Sequence, residues 1–203
     1  METAVKIKLS PITNLSDARF AAAEGIAYMG FCFDPSSVDF LLPIKAKEII
    51  DWTTGSLTVG EFGEQGLEEI SELSELLQLE VVLIKNAIPA KDLSQIGKPI
   101  IKSLDIDNME AVELANTLCA YAPYADAFQL NGSLAIAARA DELKEICLQY
   151  KIIWNLPFNL SSVPEVIAQF NPYAICLLAG SEEKTGMKEY EELYALLDVI
   201  AAK

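Results

Sequence analysis

Eight times along this chain, a short run rich in β-branched and aromatic residues gives way to a longer segment with helical spacing. The extended runs are expected at residues 5–9, 27–33, 57–62, 79–84, 99–104, 125–130, 152–156 and 173–178. Helices are expected at 14–24, 44–52, 67–77, 90–96, 109–121, 134–150, 162–170 and 187–201. Leu67, Ile70, Leu73, Leu76 and Leu77 fall on one helical face with glutamates between them. Asn14 and Asp17 read as a helix start, Gly25 as its stop, Pro43 as the entry to the second helix, and Ser162-Val-Pro-Glu165 as a capping box. Strict β-α alternation implies right-handed crossovers and a parallel sheet, and eight units favour closure into a (β/α)8 barrel. With 203 residues, each unit has about 25, at the small end for such barrels, so loops must be short. A single domain spanning residues 1–203 is the expectation, as no linker or low-complexity tract interrupts the pattern.

Composition narrows the chemistry. Thirty acidic against 15 basic residues give a formal charge of −15, which argues against nucleic acid or an anionic membrane surface as partner. There is no histidine, so Ser-His-Asp and Cys-His nucleophile machinery and imidazole-dependent zinc sites are excluded. Cys32, Cys119, Cys147 and Cys176 form no CxxC pair. They read as reduced thiols of a cytoplasmic protein, a disulfide between distant cysteines being the other option. No leader and no apolar run of about 18 residues is read.

In such a barrel, chemistry belongs to the loops that follow the strands. Ser10, Asp39, Lys85, Asp105, Asn131, Asn155 and Gly180 are the pocket candidates there, with Glu61 a further carboxylate within reach. Phosphate cradles need free backbone N–H groups at helix starts, yet the seventh loop opens with Leu156-Pro157 and the eighth follows Gly180 with two glutamates. Gly180 is either a turn glycine or a phosphate contact. No DxDxD spacing marks a metal site, so neither metal nor cofactor is expected, although a divalent cation between Asp39 and Asp105 is a further option.

The chain resembles the phosphoribosylanthranilate isomerase family of tryptophan biosynthesis along essentially its whole length. Lys8-Leu-Ser-Pro-Ile-Thr13-Asn-Leu-Ser-Asp17-Ala18 is close to the family's K-I-C-G-I-T-x-x-x-D-A. Ala21-Ala-Ala-Glu-Gly25 through Met29-Gly30-Phe31-Cys-Phe33 matches A-A-x-x-G-A-D-x-x-G-F-x-F. Val59-Gly60-Glu61-Phe62 is similar to V-G-V-F, Leu79-Glu-Val-Val82 to the start of L-D-V-V-Q-L-H-G, and Gly180-Ser-Glu182 with Gly186-Met-Lys188 to S-S-G-V-E-x-x-P-G-x-K-D.

The resemblance implies an Amadori rearrangement in which a cysteine of K-I-C-G-I-T acts as general base and an aspartate ending strand six as general acid. Those positions are Ser10 and Asn131 here, and neither residue replaces the proton chemistry of the other type. The family's S-P-R after strand two falls at Ser37-Val38-Asp39, its basic residue after strand five at Asp105, and its histidine after strand four at Lys85. The glycine-rich loop after strand six is absent, and the G-G after strand seven falls at Leu156-Pro157. The expectation is a barrel that has lost the isomerase activity and binds a small molecule or a protein. The alternative is an enzyme with residual isomerase activity or with a changed, non-phosphorylated substrate. Family members are often dimers, so a homodimer is the expected assembly.

Overall fold

In the computed structural model, residues 5–179 and 190–202 are described. Eight parallel strands pair in sequence order and close through β1 and β8. They are β1 Lys6–Leu9, β2 Tyr28–Cys32, β3 Leu57–Phe62, β4 Val81–Ile84, β5 Ile100–Asp105, β6 Ala127–Asn131, β7 Ile152–Asn155 and β8 Ala174–Leu177. The (β/α)8 expectation from alternation is met.

The helices are α1 Leu15–Ala23, α2 Pro43–Ile50, α3 Leu67–Leu76, α4 Ala111–Tyr121, α5 Ala140–Gln149, α6 Ser162–Phe170 and α7 Glu191–Ala201. Local chemistry sets most of their ends. Asn14 Oδ1 accepts from the Asp17 N–H at 3.0 Å, and Pro43 occupies the first turn of α2. Residues 187–189, expected to begin the last helix, lie outside the described residues.

Three local expectations need correction. Residues 90–96 form a 3₁₀ helix, because seven residues between Pro89 and a left-handed Gly97 (φ 67°) are too few to nucleate an α-helix. The helix expected over 134–150 is split into a 3₁₀ segment, Leu134–Arg139, and α5. At the junction the Arg139 guanidinium leaves the helix to reach the Ile106 and Met109 carbonyls at 3.0 and 2.9 Å. Finally, Ser162 does not cap α6 with Glu165. Asn159 takes that role, its Oδ1 accepting from the Ser161 and Ser162 N–H groups while Ser162 Oγ accepts from the Asn159 N–H.

Alternation along each strand divides the buried side chains into two sets. One faces the helices and builds the larger clusters, among them Leu9, Phe31, Phe33 and Phe62 on one side and Phe128, Trp154 and Phe170 on the other. The other fills the lumen with Tyr28, Val59, Val81, Leu83, Ile101, Ala127, Ile153, Ala174 and Cys176. Above that apolar filling, towards the C-terminal ends of the strands, the lumen becomes polar. Among the described residues, no helix is long and apolar enough to cross a membrane.

Candidate functional site

The inward-facing positions at the strand ends line a cavity of about 370 Å³. That lies within the range of about 300–1,000 Å³ usual for small-molecule sites. Ser10, Asp39, Lys85, Asp105, Asn131 and Asn155, all expected from sequence, meet there. Gly180 lies outside the described residues. Glu61 lines the cavity as well, and so do Cys32 and Cys176.

The floor is a buried ion pair that the strand patterns carry but did not reveal. Lys8 on β1 is fully buried, and its Nζ donates to Glu61 Oε1 on β3 at 2.5 Å, to Gln129 Oε1 on β6 at 3.0 Å and to Cys176 Sγ on β8 at 3.8 Å. All three ammonium protons are thereby used. Burial works against the charge on Lys8, but its neighbours outweigh burial and raise its pKa above the ordinary lysine value: Cys176 once its thiol ionises at high pH, and the Glu61 carboxylate throughout. Burial likewise opposes the Glu61 charge, and Lys8, helped by the Ser10 hydroxyl, holds that carboxyl below its ordinary range. Both groups are therefore ionised at neutral pH. The Cys176 thiol is pushed up by burial and stays protonated there.

From this pair a hydrogen-bond chain crosses the mouth. Ser10 Oγ donates to Glu61 Oε1 at 2.5 Å. Gln129, after accepting from Lys8, donates through Nε2 to Asn131 Oδ1 at 3.0 Å. Asn155 Nδ2 donates to the same oxygen at 2.8 Å. Asn131 Nδ2 donates in turn to Ser103 Oγ at 2.8 Å and to the Leu104 carbonyl at 3.0 Å. Ser10 and Asn131, on opposite sides of the lumen, are thus two stations of one network.

Gly30 makes the Ser10–Glu61 contact sterically possible. A β-carbon at that position would lie 2.3 Å from Glu61 Oε1 and 2.6 Å from Ser10 Oγ. The Glu61 position is where the resembling pattern V-G-V-F has an apolar residue, so the ion pair is a departure that Lys8 and Gln129 accommodate.

The rim is anchored from outside the barrel. Lys102, on the helix-facing side of β5, donates to the carbonyls of Ile84, Lys85 and Asn86 at 3.3, 3.0 and 2.7 Å and holds the loop that carries Lys85. Burial lowers its pKa to about 8. Gln65 ties the loops after β2, β3 and β4 together through the Phe33 carbonyl, the Gly63 N–H and the Asn86 side chain.

Backbone donors at the strand ends are largely spent. After β7, Pro157 has no N–H, the Phe158 N–H donates to Leu156 O, and the first N–H groups of α6 donate to Asn159. After β6, the Gly132 N–H donates to Asn155 O, and the Ser133 N–H to the Asp107 carboxylate at 2.9 Å.

Lys8 and Gln129 were absent from the expected set, as were Ser103 and Lys102. A signal existed: Lys8 and Glu61 are opposite charges inside strands that a closed barrel covers on both faces, and such charges must find each other. Among the described residues, no group of three or more potential ligands is arranged to hold a metal ion. The Asp39 and Asp105 side chains line the cavity without any hydrogen bond or ion pair among the described residues.

No family model matches the chain. It is, however, 28% identical over 213 residues to the N-(5'-phosphoribosyl)anthranilate isomerase of Chlorobium phaeobacteroides, covering 97% of each chain. The enzyme of the same name from Geobacter metallireducens is 27% identical over 194 residues, covering 91% of this chain and 93% of its own. The crystal structure of phosphoribosyl anthranilate isomerase from Thermus thermophilus superposes with a TM-score of 0.81 at 28% identity, covering 98% of this chain and 99% of the other. By sequence and fold together, the chain is similar to phosphoribosylanthranilate isomerases along nearly its whole length.

Proposed function

We propose that this barrel has lost the isomerase reaction of its relatives and serves as a binding protein for a small, non-phosphorylated molecule. The observation that carries the reading is the network joining Ser10 to Asn131. At the position the resemblance gives to the general base, Ser10 donates its proton to Glu61. Glu61 is a carboxylate with a depressed pKa and hence a weak base for activating a hydroxyl. At the position of the general acid, the Asn131 amide has two donors and two acceptor sites, and all four are engaged. An amide so placed orders the site but delivers no proton.

The phosphate end of the inherited substrate is equally unsupported. The N–H groups after β6 and β7 are turned to internal partners, and Asp107 stands where an anion would approach. Asp39 and Asp105 place negative charge at the rim, which disfavours a phosphorylated ligand.

The test is turnover of phosphoribosylanthranilate by the purified protein, paired with complementation of a tryptophan auxotroph lacking the isomerase at normal expression. Absence of both is expected. Rescue of growth, with turnover that Ser10→Ala or Asn131→Ala reduces, would overturn the reading in favour of a working isomerase.

A further inference from the structure

The N-terminal end of the barrel, opposite the mouth, carries a second group of titratable side chains. Lys6 opens β1, Tyr28 opens β2, and Lys151 and Tyr173 directly precede β7 and β8. Lys6 Nζ donates to the Tyr173 hydroxyl oxygen at 2.9 Å, and the buried Tyr28 hydroxyl lies 2.8 Å from the same oxygen. Lys151 Nζ stands 5.6 Å from the centre of the Tyr173 ring. An ammonium can only donate, so the Tyr173 oxygen is an acceptor here.

That direction sets Tyr173 apart from the other tyrosines. The Tyr121 hydroxyl donates to the Ile88 carbonyl at 2.6 Å and the Tyr190 hydroxyl to Asp17 Oδ1 at 3.0 Å, bonds that favour the protonated phenol. Tyr124 and Tyr194 are exposed, and among the described residues neither receives a hydrogen bond from a cation. Around Tyr173 it is the ionised form that gains, since Lys6 supplies both an opposite charge and a hydrogen bond, and the Tyr28 proton can turn towards a phenolate. Burial opposes ionisation of Tyr173, but Lys6 and Tyr28, with Lys151, outweigh it and lower its pKa. Burial and the Tyr173 oxygen push the Tyr28 pKa up, so Tyr28 keeps the proton it donates.

Tyr28 and Tyr173 line a cavity of about 350 Å³ whose wall is largely apolar, formed by Leu57, Val81, Pro99, Ile101 and Ala127. Glu80 and Asp126 line it as well. Each accepts from a backbone N–H, of Thr58 and of Ile100, and their charges disfavour an anion there.

We propose that Tyr173 is a nucleophilic acyl-acceptor site, modified by small neutral activated esters whose apolar leaving group occupies this cavity. The phenol proton passes to solvent, and the phenolate oxygen attacks the ester carbonyl carbon. A new O–C bond forms, the C–O bond to the leaving group breaks, and the aryl oxide departs with the bonding pair. The product is an aryl ester on Tyr173. Lys6 is a positioning residue that favours the phenolate. This site is separate from the mouth, and its chemistry holds whether or not the isomerase reaction is lost.

The probe is p-nitrophenyl acetate at mildly alkaline pH, with the acetylated residues of the intact protein mapped by mass spectrometry over time. Hydroxylamine treatment separates tyrosine esters, which it cleaves, from lysine amides, which survive. Tyr173 is expected to acetylate several-fold faster than the more exposed Tyr124 and Tyr194. Lys6→Met should slow Tyr173 several-fold and Lys6→Arg should restore it, with Tyr124 and Tyr194 unchanged in both, a pattern that general loosening of the fold would not give. Equal rates at the three tyrosines, or a Tyr173 rate indifferent to Lys6→Met, would overturn the proposal.

Discussion

The two halves of the barrel lumen are built by the same strands with the same alternation, yet they follow opposite physical rules. The lower half is filled by Val59, Val81, Leu83, Ile101, Ala127, Ile153 and Ala174, with a 2.8 Å hydrogen bond between the Tyr28 and Tyr173 hydroxyls towards its N-terminal end. Its side chains gain by leaving water and require only shape from their neighbours. The upper half holds Lys8, Glu61, Ser103, Gln129 and Asn131, each of which would be a liability without its partners. The lower half therefore supports the fold through area. The upper half is a specified arrangement with stability at stake in every contact, and it has an opening to solvent.

Breaking one partner of the ion pair should have the largest effect. Lys8→Met leaves Glu61 buried and uncompensated, for an expected loss of about 3–5 kcal/mol in urea-induced unfolding. Glu61→Val alone should cost a similar amount. The double variant, which extends the apolar lower half upwards, is expected to recover to within about 1 kcal/mol of the parent or to exceed it. Additive single losses would show that the two halves do not differ in this way.

A smaller effect is expected where the upper network meets the backbone. Gly30→Ala places a β-carbon on Glu61 Oε1 and Ser10 Oγ and should cost about 1–3 kcal/mol, measured by the same unfolding experiment. In the Lys8→Met/Glu61→Val background the Glu61 oxygen is gone while Ser10 Oγ and Cβ remain at 2.6 and 2.7 Å, so only part of that cost should vanish. An unchanged cost would mean that the clash lies with Ser10 alone.

The gentlest comparison uses pH. Glu61 has a depressed pKa in the folded state, so its contribution is complete above the unfolded value of about 4.3 and is lost as pH falls through the folded value. Lys8 is raised, so its contribution is complete below about 10.4 and is lost as pH rises through the folded value. The stability of the parent relative to the double variant should therefore be constant between those limits and decline outside them. Ile153→Val, in the apolar half, should cost about 0.5–1.5 kcal/mol at every pH.

The sequence by itself determined the alternation, and from it the closed eight-stranded barrel, because apolar periodicity and crossover handedness are local properties that propagate without distant information. It also named most of the mouth, since strand ends in such a barrel must converge. Finer local structure was less legible: the 3₁₀ segments and the Asn159 cap of α6 depend on how loops dock against neighbours such as Ile106 and Met109. Only the tertiary structure decided what the mouth does with its charges. Lys8 and Glu61 are 53 positions apart, and Lys8 and Gln129 121 apart. Barrel closure alone brings them within hydrogen-bond reach. The low dielectric at that depth then makes their pairing obligatory, which commits Ser10 and Asn131 to a shared network.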